Sequence, residues 1–250
     1  GAGIVGTYHV SDNIAITAGL LYGHHSNGAL ARPNKGENHW GPMVGLNLTP
    51  RPLQREREPQ EASPNGGKME GAGPYLDFRL GVGGKTLLED WQKTQFYTDP
   101  GEPDYRTDDF HFYMSYSASA AIMYRYARRW ASGIGADIYY GTYYKHIRDM
   151  EAQQALPTPN HSSSISPWSI GISARHEVYY HNLSLDMALG IYLHRKMGAH
   201  AKEVEQPYYE RIGVFYTFPK FGNIKLGASV QAHRTKADLT ELMVSVPVKL

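Results

Sequence analysis

The sequence predicts an all-β protein, an antiparallel up-and-down β-barrel of the membrane-spanning type with about 12 strands. Three observations predict it. Apolar and polar residues alternate with a period of two in one segment after another, the repeat of a strand that shows one face to an apolar phase. Short connections alternate with long ones, the asymmetry of barrels with short turns on one side of a membrane and long loops on the other. The 19 tyrosines and 26 glycines suit strands of roughly ten residues with aromatic girdles and a tightly packed interior.

The apolar rows follow one another along the chain. The first carries Ile14, Ile16, Ala18, Leu20 and Tyr22, and the next carries Trp40, Val44, Leu46 and Leu48 with Pro42 in the row. Then come Leu76, Phe78, Leu80 and Val82 opposite Asp77 and Arg79, and Ile134, Ile138 and Tyr140 opposite Asp137. Between 183 and 193 every odd position is Leu, Met or Ile, facing Ser184 and Asp186. Ile212, Val214, Tyr216 and Phe218 continue the pattern, then Ile224, Leu226, Ala228 and Val230, and finally Leu242, Val244, Val246, Val248 and Leu250.

In a water-soluble sandwich the apolar rows would face inward and the charges would face bulk water. Here the opposite face is mostly small and hydrogen-bonding, with single charges, which suits a polar lumen. Asp137, Arg125, Arg175, Glu177, Asp186, Lys225 and Glu241 are expected to pair within it. Trp40, Tyr124, Tyr126, Trp130, Tyr143, Tyr144 and Tyr208 fall near strand ends, where girdles would lie.

Short turns are expected at Ser11-Asp12-Asn13, Arg128-Arg129-Trp130, His181-Asn182 and Pro219-Lys220-Phe221-Gly222, and long loops near 27–37, 85–109, 145–166 and 195–206. About eleven strands are legible. Single-chain bacterial barrels use even numbers, so at least one further strand is expected upstream of Gly1. The whole of 1–250 reads as one barrel domain, interrupted at 50–71 by a polar, Pro- and Gly-rich insertion expected to be disordered.

A net charge of +1 and the lack of a dense Lys/Arg run argue against nucleic acid as a partner, and zero cysteines exclude disulfides and thiolate metal sites. No run approaches the ~20 apolar residues of a membrane-spanning helix, which leaves a barrel unaffected.

The stretch GHHSNG, residues 23–28, ends an apolar row with hydrolytic chemistry. His24 and Ser26 share the parity of Tyr22, and counting back by two from Trp40 reaches Asn38. A serine hydroxyl becomes a nucleophile when an imidazole takes its proton. The imidazole in turn needs a group that fixes its tautomer, which an asparagine carbonyl does by accepting its N–H, without a carboxylate's charge. Glu37 is the alternative third member, with opposite parity. Backbone amides near Asn27 and Gly28, with the Asn27 side chain, are candidates for an oxyanion hole.

A polar loop tip is the plain alternative for His-x-Ser. A zinc site from His24, His25 and His39 is disfavoured because His25 faces the other way, so neither metal nor cofactor is expected. Arg32 and Lys35 are candidates to meet substrate phosphates. Lys145, Arg148, Arg195 and Lys196 lie where they could do the same, though as loop charges most are expected to be solvated.

GHHSNGALARPNKGEN resembles the His-x-Ser-Asn and Pro-Asn-x-Gly motifs of the lipid A 3-O-deacylases of bacterial outer membranes and their broader acyloxyacyl hydrolase relatives. KLGASVQAHRTKADLTELMVSV, residues 225–246, resembles their C-termini. The resemblance implies that His24 and Ser26 are catalytic, that lipid A or lipopolysaccharide is the substrate, and that the protein resides in the outer membrane. Where those enzymes place glutamate, fourteen residues after the histidine, this chain has Asn38. That spacing is similar to the His-Ser-Asn triad of outer-membrane phospholipase A, which makes a phospholipid substrate and a homodimer the alternative. A non-catalytic barrel, pore or adhesin, is the rival from another class.

Overall fold

The computed structural model describes residues 2–33, 36–48, 72–153 and 165–250. Among them are eleven strands, in two compact units that are taken separately.

The first unit is a three-stranded antiparallel sheet of β1 (Ala2–Ser11), β2 (Ile14–His25) and β3 (Glu37–Leu48), with β2 in the middle. Its register follows the period-two pattern. Ile4 stands opposite Leu20 and Leu20 opposite Pro42, while Tyr8, Ile16 and Leu46 form a second row on the same face. The other face is polar: Thr17 Oγ1 accepts from Asn47 Nδ2 at 2.7 Å and lies 3.2 Å from Thr7 Oγ1.

The second unit holds eight strands: β4 (Gly73–Thr86), β5 (Phe112–Ala127), β6 (Trp130–Gly141), β7 (Trp168–Tyr180), β8 (Leu183–Arg195), β9 (Tyr208–Phe218), β10 (Ile224–His233) and β11 (Lys236–Lys249). Each pairs antiparallel with the next, and β11 pairs with β4 from Thr240 opposite Gly84 to Lys249 opposite Tyr75, which closes the ring. The closed barrel therefore has eight strands rather than about twelve. Periodicity finds strands, but closure is decided by what the last strand pairs with, and β11 takes β4. The expected insertion at 50–71 lies outside the described residues.

The barrel is apolar outside and charged inside. Leu80, Ile134 and Leu242 are 65–69% exposed, whereas Asp77, Asp137 and Glu177 are 0% exposed. A closed ring satisfies every backbone group between strands, the condition for crossing hydrocarbon. Inside, Arg79 forks onto Asp186 at 2.7 and 2.9 Å and also binds Asp77 at 2.6 Å. Asp137 accepts from Arg175, Arg211, Ser173 and Tyr209, and Lys225 binds both oxygens of Glu177. Two of the expected lumen ion pairs are absent among the described residues: neither the buried Glu241 nor Arg125 forms a salt bridge.

The long connections carry helices that the strand pattern did not predict: α1 (Leu88–Phe96), α2 (Tyr144–Ala152) and a π-helical turn at Ala201–Glu205. Leu87, Tyr143, Ile147, Met197 and Ala201 form one buried cluster among these loops. Tyr143 thus belongs to a packed cap and not to a girdle. Next to it the Lys85 ammonium lies 4.7 Å from the Tyr143 ring centre and 2.5 Å from Asp238, and Arg195 pairs with Glu205. Arg195 is consequently a buried ion-pair partner instead of a loop cation facing solvent.

Candidate functional site

In β2 and β3 the even-numbered residues share the apolar face, and the row ends in His24 and Asn38, which stand directly opposite each other. His24 Nδ1 lies 2.7 Å from Asn38 Oδ1. A carbonyl oxygen only accepts, so Nδ1 donates, and in the neutral imidazole Nε2 then keeps its lone pair, the form required of a general base. Tyr22, one step down the row and opposite Trp40, donates its hydroxyl to the same Asn38 Oδ1 at 2.6 Å. Both lone pairs of that oxygen are used, and the amide is held from two sides. The sequence reading placed Tyr22 in the apolar row only; its diagonal position to Asn38 was the available signal.

Ser26 lies just beyond the end of β2, so strand parity does not set its direction. Gly36 on the returning chain brings it near His24. A Cβ built on Gly36 would sit 3.2 Å from His24 Cε1 and 3.7 Å from Ser26 Cβ, and φ there is +52°. Only glycine gives the chain both that conformation and that closeness at low cost. Ser26 Oγ makes no hydrogen bond to His24 among the described residues; such contacts commonly tighten only when substrate is bound. His24, Ser26 and Asn38 are all exposed.

Glu37 pairs with His25, so it is in register with the odd-numbered positions. His25 stacks on His39 with ring centres 5.1 Å apart. Asn27 is consumed by its own loop: Oδ1 accepts from Ala29 N at 3.1 Å and Nδ2 donates to the Ala31 carbonyl at 2.9 Å. Gly28, at φ +63°, offers its carbonyl to Thr240 Oγ1 at 2.8 Å, and a Cβ there would come within 2.3 Å of that oxygen. Thr86 N donates to the Ala29 carbonyl, and Arg32 donates through Nε and Nη2 to the Thr86 carbonyl at 3.1 and 2.8 Å. Burial among these groups lowers the Arg32 pKa, against the pull of Asp238, Glu89 and other acids. Arg32 thus anchors the 27–33 segment to β4. Lys35 lies outside the described residues.

Glu205, His233 and Asp238 offer ligand atoms within 4.8 Å of one another in the barrel. Lys85 and Arg195 already balance the two carboxylates, so the trio fits a counter-ion cluster better than a metal centre.

A family model described as acyloxyacyl hydrolase, C-terminal domain, matches residues 75–248. The match spans the closed ring; His24, Ser26 and Asn38 precede it. Comparison with curated proteins finds no match. Among solved structures, the outer-membrane channel DcaP of Acinetobacter baumannii is 9% identical with a TM-score of 0.24, covering 98% of this chain. A triple mutant of the Rhodopseudomonas blastica porin is 12% identical with a TM-score of 0.25, covering 98% of this chain and 88% of that one. A Pseudomonas aeruginosa FadL homologue is 11% identical with a TM-score of 0.22, covering 97% and 64%. The chain spans 62% of the length of the DcaP chain. At such scores these three carry no argument about function.

Proposed function

As the chain belongs to the acyloxyacyl hydrolase family, we propose that it is a serine hydrolase that removes an ester-linked fatty acyl chain from lipid A. It is an outer-membrane β-barrel protein, and its family's chemistry is ester hydrolysis. The observation that supports the finer reading is the His24–Asn38 hydrogen bond at the end of an apolar row, which uses Nδ1 and leaves Nε2 as the ring nitrogen open to a proton from Ser26.

In this mechanism Ser26 Oγ attacks the ester carbonyl and its proton passes to His24 Nε2. The carbon–oxygen bond to the sugar then breaks, and His24 returns the proton to the departing oxygen. Water, deprotonated by His24, attacks the acyl-serine; the bond from the acyl carbon to Ser26 Oγ breaks, His24 returns the proton to Oγ, and the fatty acid is released. Asn38 holds the tautomer but brings no negative charge to the imidazolium, and Tyr22 fixes Asn38. Tyr22, Leu20 and Trp40 lie along the same face as the site, so the acyl chain stays against hydrocarbon-compatible surface throughout.

The test is incubation of wild type and Ser26→Ala with purified lipid A and, separately, with phospholipid. Release of fatty acid from lipid A by wild type alone supports the proposal. Release from phospholipid alone would replace lipid A with phospholipid as substrate. No release from either would leave a barrel without hydrolytic activity.

A further inference from the structure

The barrel has a second feature of chemical interest at the end away from the helical loops. There, at the short-turn mouth, a hollow of about 330 Å³ is lined by residues that include Tyr75, Arg125, Tyr179, Asn223, Lys225 and Lys249. No Asp or Glu lines it. Lys225 is neutralised from below, because Glu177 takes its ammonium at 2.6 and 2.8 Å and also accepts from Tyr179 at 2.8 Å. Arg125 and Lys249 have no carboxylate partner among the described residues. The Arg125 guanidinium carbon lies 4.3 Å from the Tyr179 ring centre, and Nη2 donates to the Arg128 carbonyl. Its Nε is buried and donates to nothing.

The hollow is blind. Beyond Lys225 and Glu177 the lumen is filled by Arg79, Asp77, Arg175 and Asp137, each at most 2% exposed. Two uncompensated cations, a buried donor without an acceptor, and a space far larger than one phosphate group therefore meet at a single pocket. Burying a donor without a partner is costly, and a guanidinium is suited to phosphate oxygens.

We propose that this mouth binds a small phosphate-bearing anion, with Arg125 and Lys249 as its cationic contacts. The remaining volume accommodates a substituent of glycerol size on the phosphate. A free phosphate ester and the headgroup of an anionic phospholipid share this chemistry.

The test uses the full chain in uncharged detergent, titrated with glycerol phosphate and followed by phosphorus NMR line broadening. In parallel, the chain is reconstituted in phosphatidylcholine vesicles with and without phosphatidylglycerol, and retained lipid is read by native mass spectrometry. Saturable broadening assigns a soluble phosphate ester, and selective retention of phosphatidylglycerol assigns a headgroup. Either must weaken about tenfold or more in Arg125→Gln with Lys249→Gln, while the heat-modified gel shift of the folded barrel stays as in wild type. Lys249→Gln alone, at an exposed position, should weaken binding without touching the fold. Neither broadening nor retention, or equal binding by the double variant, would overturn the assignment. Because hydrolysis of lipid A is a separate readout, loss of one leaves the other standing.

Discussion

His24 and Asn38 are cross-strand partners whose side chains meet at 2.7 Å, Nδ1 to Oδ1. The pairing depends on register, since a slip of one residue would bring the odd-numbered neighbours to that face. Asn38→Ala should lower kcat on lipid A by roughly 10- to 100-fold, as lost orientation of a general base does. Asn38→Asp should recover activity to wild-type level or above, because it keeps the acceptor and adds the charge that an imidazolium lacks here. Unchanged kcat in Asn38→Ala would remove asparagine from the mechanism.

Tyr22→Phe tests the second bond to Asn38. The ring stays in the apolar row and only the hydroxyl at 2.6 Å is lost. A loss of about 1 kcal/mol of positioning, or roughly fivefold in kcat with KM little altered, is expected. A change confined to KM would instead assign Tyr22 to substrate binding.

Asp137 accepts from four side chains in the lumen, Arg175, Arg211, Ser173 and Tyr209, at 2.6–3.1 Å with 0% exposure. Asp137→Ala strands two buried guanidinium groups and should destabilise the barrel by about 3–5 kcal/mol. The measurement is the urea midpoint of the heat-modified gel shift. A midpoint equal to wild type would mean that the network is hydrated and soft.

His146 in α2 and Asp90 in α1 join two of the long loops through a 2.5 Å contact from Nε2 to Oδ1. That hydrogen bond raises the His146 pKa, with burial opposing it. A raised folded-state pKa gives stability that is complete below the unfolded histidine value, about 6.5, and is lost as pH climbs through the higher folded value. Hydrogen exchange in 88–96 and 144–152 should therefore speed up as pH rises above about 6.5, after correction for intrinsic rates. Asp90→Asn should flatten that dependence; an equally steep one would break the assignment.

Much of this architecture was legible in the chain. Alternation gave apolar rows for eight of the eleven strands and a count of about eleven, and counting by two put His24 and Asn38 on one face. Ring closure was not legible, because nothing local in Leu242–Val248 says that its partner is Leu76–Val82 and not an earlier row. The helices were missed because Leu88–Phe96 and Tyr144–Ala152 are nine residues each inside polar loops, and they are held by the Leu87–Tyr143–Ile147 cluster. Ser26 was assigned by strand parity, yet the strand ends one residue before it and the position of Gly36 matters more.

The central claim is that Ser26 and His24 release a fatty acyl chain from lipid A. The most direct measurement is mass spectrometry of lipid A from cells producing either the wild-type chain or Ser26→Ala at equal folded abundance. The account predicts a species lighter by one ester-linked fatty acid in wild type and its absence in the variant. The same acyl pattern in both would contradict it.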